Sequence, residues 1–371
     1  MKLIVNCSSL HQGGGIQVAL SLLEEFKDFR DNEYYIIYTS KFLNLINFDS
    51  FPDNFKFYFL KYSSSDLFKF RQSLKRLKEI EVDVQPDCVL TVFGPSYWRP
   101  KAIHVMGFAL GHFLYPDSPF WKVANLKEKF LFSILKTIKI WQIKQNADYF
   151  HIETEDAKNR LSRYHNVPLE NIFVASNSHH KIFNGNYQYF KLPKKRKNEF
   201  RLITISAFYS HKNIKIINKL VNELCKIKDF EFTFFVTLPQ PIFDKNFIKS
   251  NRIINLGPVK IEDCPSIYEQ SDALFLPTLL EIFSASYLEA MKMEIPILTS
   301  DLSFAHDICG DAALYFNPLD VKNISNSIVN LARNKQLREV LKQNGKIRLK
   351  KFDNSRERSR KILNICNNII N

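Results

Sequence analysis

The chain has 371 residues, beyond one typical domain and near the length of two. Hydrophobic residues make up 45% and aromatics 14%, enough for buried cores, while no stretch approaches the roughly 18 apolar residues of a membrane-spanning helix. A net charge of +14 suits an anionic partner: a phosphorylated ligand, nucleic acid or an anionic membrane.

The start, "MKLIVNCSS", has one lysine and a short apolar run, so it reads as a first strand and not as a signal peptide. "GGGIQVALSLLEEF" follows as a glycine turn opening a helix. "EYYIIYT" and "FKFYFL" read as strands, and "SDLFKFRQSLKRLKEI" as a helix. "DCVLTVFG", "AIHVMGFAL" and "ADYFHIE" are strands again, the last followed by Thr154, an N-cap for "EDAKNRLSRYH". The basic stretch 184–198 breaks the rhythm and is the linker candidate.

Alternation then restarts. "FRLITIS" is a strand and "NIKIINKLVNELCKI" a helix; "FEFTFFVTLP", "RIINLG", "DALFLPT", "IPILTS" and "AALYFN" are strands. Strand–helix alternation in both halves implies an α/β chain with two parallel sheets, each covered on both faces. The division expected is 1–185, 186–350 and a terminal helix in 351–371. The six cysteines are scattered, with no C-x-x-C and no Cys/His cluster, as for free thiols in a reducing cytoplasm.

Four stretches carry chemistry. Glycines 13–15 lie between the first strand and its helix, where backbone N–H groups and the helix dipole meet an anion without a Cβ in the way. The run gives Gly13-x-Gly15-x-x-Val18, so the third glycine of a dinucleotide fingerprint is missing. "ITISAFYSHKN" ends a strand near Ser206 and opens a helix at Asn213, which puts Lys212 at a helix N-terminus, a phosphate position. "LEIFSASYLEAM" places Glu281 in the loop after a strand. With a helix starting near Ser284, Glu289 lies one to two turns inside it, one i, i+4 step from Ala285. "WKVANLKEKFLFSILKTIKIWQIKQ" sets Leu126, Phe130, Ile134 and Ile138 at i, i+4 spacing, with Lys122, Lys129 and Lys136 every seventh residue. That is either a domain helix with its apolar side on a sheet or a basic amphipathic helix lying on an anionic membrane.

The segment 277–296, "PTLLEIFSASYLEAMKMEIP", resembles the E-x7-E signature of family 4 glycosyltransferases of the GT-B fold. Glycines 13–15, "SHKN" with Lys212, "RIINLGPV" with Gly257, "IYEQSDALFLPT" and "DICGDAALYFNP" fit the same pattern. The resemblance implies two Rossmann-like domains facing across a cleft and a terminal helix returning to the first. It implies transfer of a sugar from a nucleotide-diphosphate donor, UDP or GDP, to a saccharide or lipid-linked saccharide, with retention and without a metal or other cofactor.

On the matched positions, Glu289 takes the ribose hydroxyls and Glu281 the donor sugar. Phe283, Ser284 and Ala285 present N–H groups, and Lys212 neutralises the diphosphate beside Ser206. Gly257 and Pro258 line the base, and Gly14 and Gly15 approach the phosphates or acceptor. A first-domain histidine that faces the sugar is His104 or His112. The chain departs from the pattern at Ile282 and Ser284, where glycine or proline and glycine are usual, at Glu294 for a glycine, and at Ser206 and Ala207 for an arginine. The resemblance also implies a cytoplasmic enzyme, peripheral on the inner membrane face. A catalytically degenerate nucleotide-sugar binder is the alternative. A nucleic-acid-binding protein is not expected, because no recognised module is present.

Overall fold

The computed structural model describes residues 1–10, 13–63, 69–185 and 187–371. Residues 65–68, the start of the expected second helix, lie outside them; that helix is described over Phe70–Val84.

The chain divides into two compact units: Met1–Leu114, Asn125–Asn177 and Asp353–Asn371 form the first, Tyr115–Ala124 and Ser178–Phe352 the second. Strands β1 (Lys2–Asn6), β2 (Glu33–Tyr38), β3 (Phe55–Phe59), β4 (Cys88–Thr91), β5 (Ile103–Gly107), β6 (Tyr149–Ile152) and β7 (Ile172–Val174) form the first sheet, in the order β3-β2-β1-β4-β5-β6-β7. Strands β8 (Glu199–Thr204), β9 (Glu231–Val236), β10 (Ile253–Asn255), β11 (Ala273–Leu276), β12 (Ile297–Ser300) and β13 (Ala313–Phe316) form the second, in the order β10-β9-β8-β11-β12-β13. Every paired strand runs parallel to its neighbour.

Burial on both faces explains the unbroken apolar strand runs. Leu3 and Val5 pack with Ala19, Leu22 and Phe26 of the helix Gly14–Phe26 and with Ile362, Leu363 and Cys366 of the terminal helix Ser355–Ile370. Ile4, one residue out of phase, points the other way, to Leu77, Ile80 and Val84. In the second unit Leu202, Phe232, Phe234 and Phe275 pack with Ile217, Leu220 and Leu224 and with Ile324 and Ile328.

The terminal helix, begun by an Asn354–Glu357 capping box, groups with the first unit. Its Arg358 is buried, donating to Asn177 Oδ1 and, at 3.0 Å, to Ser21 Oγ. One stretch groups otherwise than the expected division, and the linker candidate is held in place. Residues 115–124 group with the second unit, and so does the linker candidate from 187 onward. The latter is pinned down: Phe190 N–H donates to Ser266 Oγ at 3.1 Å, Leu192 N–H to Gln270 Oε1 at 3.1 Å, and Lys195 reaches Asp272 at 2.7 Å. A polar, basic composition marks this stretch as surface chain, not as a free joint.

The helix Leu126–Asn146 differs from an ordinary domain helix. Of its 21 residues only Ile143 and Asn146 are buried, and its apolar stripe faces outward. No helix among the described residues is long and apolar enough to cross a membrane.

Candidate donor site

In each sheet the strand order reverses direction at one place, between β1 and β4 and between β8 and β11. In doubly wound sheets ligands bind outside the carboxyl ends of the strands at such a point, because the loops there part to opposite faces. The loops leaving β8 and β11 carry Lys212 and Glu281.

After β8 the chain makes a single 3-10 turn, Ser210–Lys212, then turns through Asn213 at φ 54°, whose side chain donates to Pro318 O at 3.0 Å. The helix begins only at Ile216. Lys212 therefore does not stand at the helix N-terminus expected from the sequence; the left-handed Asn213 separates the two. Its reach comes instead from loop-to-loop bonding. Leu279 N–H and Thr278 Oγ1 both donate to His211 O, at 2.7 and 3.2 Å. From the strap 115–124, Ser118 Oγ donates to Leu279 O at 2.6 Å, and the Phe120 ring meets His211 edge-on with centroids 6.4 Å apart.

So braced, Lys212 Nζ and a Glu281 carboxylate oxygen form a direct ion pair, with side chains 18% and 13% exposed. Burial pulls the Lys212 ammonium down to about 8. A buried ammonium facing one carboxylate can exchange that partner for a more highly charged anion entering the same loops.

The helix after Glu281 runs Ala285–Lys292, with Ser284 at the N-cap in extended conformation. Its first N–H groups, at residues 285 and 286, precede the first intrahelical bond. Phe283 is half-buried and meets Phe352 edge-on, while Ile282, in a usual glycine position, is buried. Glu289, one turn in, is only 8% exposed and accepts a 2.9 Å bond from the Tyr268 hydroxyl. Burial raises its carboxyl from 4.5 to about 7, and the Tyr268 bond works the other way. Glu289 thus bonds to Tyr268, while Glu281 bonds to Lys212. Tyr268 lies inside the matched stretch "IYEQSDALFLPT", but nothing in the sequence links it to a residue 21 positions on.

Ser206 bonds locally, its N–H to Thr237 Oγ1 at 3.4 Å and its hydroxyl to Ala207 O at 3.0 Å. Gly257 has φ 74°, a conformation that favours glycine, and Pro258 is exposed beside it.

In the first unit Gly13 sits at φ 70°, ψ −148°, a region essentially confined to glycine. Gly14 opens the helix with no heavy atom within 4 Å of where a Cβ would stand, whereas Gly15 packs at 3.3 Å from Leu10 and 3.7 Å from Phe93. Open approach to backbone thus belongs to Gly14. Of the two histidines, His104 is corrected to a core residue. It is fully buried on β5, with Nε2 at 2.8 Å from Thr91 Oγ1 and Nδ1 on Asn146 O, and burial pulls it down to about 4. Both nitrogens are committed inside the fold, so it has no face for a ligand. His112 is half-buried, its ring stacked on Phe132 with centroids 4.3 Å apart, and burial likewise pulls it down to about 4.

Residues 188–348 match the family model described as glycosyl transferases, group 1. The chain is 27% identical over 255 residues to the O-antigen chain mannosyltransferase RfbU of Salmonella typhimurium, covering 66% of this chain and 64% of that protein. It is 32% identical over 97 residues to the O-antigen chain mannosyltransferase B of Escherichia coli, 26% of each. The chain therefore spans less than two thirds of the length of these relatives. Three solved structures align over essentially the whole chain. A glycosyltransferase from Rickettsia africae has TM-score 0.74 at 14% identity, covering 100% and 98% of the two chains. HepE of Anabaena, solved with UDP and glucose, has 0.72 at 12%, covering 99% and 100%. WaaG, a glycosyltransferase of lipopolysaccharide biosynthesis, has 0.70 at 11%, covering 99% of each. At such identities the likeness is one of fold: two Rossmann-like parallel-sheet units, the GT-B architecture.

Proposed function

We propose that this chain, whose residues 188–348 match the family model of group 1 glycosyl transferases, moves a hexosyl or N-acetylhexosaminyl group from a nucleotide-diphosphate sugar to an acceptor hydroxyl. The observation that carries the reading is the Lys212–Glu281 pair, held at the carboxyl ends of β8 and β11 inside the matched stretch. Lys212 takes the diphosphate, whose charge grows as the sugar leaves; a fixed cation there lowers the barrier. Once the diphosphate holds Lys212, Glu281 is released to accept from the sugar hydroxyls.

Glu289 accepts from the ribose, the amides of Phe283, Ser284 and Ala285 face sugar and phosphate, and Ser206 lies beside the diphosphate. Gly257 and Pro258 border the base, Gly14 offers backbone to phosphate or acceptor, and His112 is the remaining histidine for the donor sugar. The reaction retains anomeric configuration, needs no metal, and takes UDP or GDP as carrier. Two relatives bear the name mannosyltransferase, which puts a mannosyl donor first among those to test. The acceptor is a saccharide or lipid-linked saccharide of cell-surface polysaccharide, met on the cytoplasmic side at an anionic membrane.

Incubation with UDP-, GDP- and TDP-sugars, with and without saccharide acceptor, is expected to release nucleotide from one of them. Full transfer by Glu289→Ala would sink the site assignment. A second reading, a binder without turnover, draws on Lys212 and Glu281 neutralising one another and on Ile282 filling a usual glycine position. Tight nucleotide-sugar binding with no released nucleotide would favour it.

A further inference from the structure

We propose that Asn255 is a positioning residue that sets which nucleobase the donor carries. Asn255 ends β10, the edge strand of the second sheet, beside β9. Backbone pairing between the two strands reaches Leu256, whose N–H donates to Val236 O at 2.8 Å. The half-buried Asn255 side chain carries the pairing on to the next loop. Its Oδ1 accepts from Leu238 N–H at 2.9 Å, and its Nδ2 donates to Leu238 O at 2.8 Å. A carboxamide holds a donor and an acceptor side by side, so it meets both backbone groups of Leu238 much as a neighbouring strand would. The same Oδ1 accepts from Gly257 N–H at 3.3 Å, and the same Nδ2 donates to Gln240 Oε1 at 3.1 Å. One side chain thus clips the loop leaving β9 to the loop leaving β10, all within the second unit.

What these loops present points to the base and not to the phosphates. Residues 237–240 and 255–259 contain no lysine or arginine, whereas Lys212 stands on the loop after β8. The N–H groups of Leu238 and Gly257 are turned inward to Asn255, so neither is offered to an anion. Each loop carries an exposed proline, Pro239 on one and Pro258 on the other. Gly257, at φ 74°, has no heavy atom within 4 Å of where a Cβ would stand. Rigid prolines beside bare, uncharged backbone give a flat ring a surface to lie on. The clip fixes how far apart the two loops stand, and a fixed spacing is what tells one ring from another.

The inference rests on the donor reading above, and its test uses nucleotide binding instead of transfer. Affinities of full-length protein for UDP, GDP, ADP and inorganic pyrophosphate are measured by calorimetry, together with the thermal midpoint. Wild type is expected to rank the three nucleotides. In Asn255→Ala the preferred nucleotide weakens about tenfold and the three come within about threefold of one another, while pyrophosphate binds as in wild type. Gln240→Ala breaks only the bond to an exposed side chain, so it keeps the fold and flattens the ranking in part. A lowered midpoint with the ranking kept gives Asn255 a merely structural role and overturns the proposal. Equal weakening of pyrophosphate, or a wild type that binds all three nucleotides alike, overturns it too. A wild type that binds no nucleotide removes the donor reading itself, and this inference with it.

Discussion

Glu289 and Lys212 are displaced in opposite directions by one cause, since burial penalises the charged form of each. Glu289 is a carboxylate only above about 7, and Lys212 an ammonium only below about 8. Donor affinity that needs both charges rises as pH climbs through the first value and falls through the second. Titrating nucleotide-sugar affinity from about pH 6 to about pH 9 is expected to give a narrow bell. Glu289→Gln removes its acid limb. Lys212→Arg, charged at any accessible pH, removes the alkaline one. Lys212→Ala lowers affinity about 10- to 100-fold, the worth of roughly 1.5–3 kcal/mol for a bond to a charged group. Tyr268→Phe moves the acid limb up by roughly one pH unit, because the lost hydroxyl no longer favours the carboxylate. The same raised carboxyl bears on folding: its stabilisation is whole below 4.5 and lost as pH rises through about 7. Glu289→Gln should therefore gain thermal midpoint relative to wild type between those values. At this scale the sequence shows where Glu289 is, because "YLEAM" flanks it with core residues. It does not show that Lys212 meets Glu281, 69 residues on, nor that His104 points inward to Thr91 and Asn146. Such pairings depend on which loops the sheet brings together.

Strands are the elements the chain announces most plainly. Among the described residues, twelve of the thirteen follow from apolar runs; β7, Ile172–Val174, is the exception. Thr154 caps its helix as its residue type implies, accepting from Ala157 N–H at 3.2 Å. Periodicity reads less far on the helix Leu126–Asn146: an i, i+4 stripe names a face and is silent on what lies opposite. The terminal helix shows the reverse case, a basic segment whose Arg358 is drawn inside. Burial raises the nearby Glu153 carboxyl to about 7 against the pull of Arg358 and Asn177. Arg358→Met leaves that acid without its counter-charge and is expected to cost about 3–5 kcal/mol, read as a lower urea midpoint for the transition of the first unit. Glu153→Gln in the same background should recover part of the loss.

Across the whole molecule, two parallel sheets each reverse their winding once, and the alternation of strands and helices made that organisation legible before any coordinate. What it could not convey is how the covalent chain is shared out. The backbone passes from one unit to the other after Leu114, Ala124, Asn177 and Phe352. Residues 115–124 are a donated strap: they come from the first half of the sequence, yet their Ser118 and Phe120 brace the loops that carry Lys212 and Glu281. This governs how the protein can be dissected. A fragment spanning 178–352 looks like a self-sufficient module by sequence, but it is excised without its brace. Its loops are expected to exchange amide protons faster than in the intact chain. Grafting 115–124 back through a short linker should slow that exchange again, whereas grafting the strap with Ser118→Ala should do so only in part.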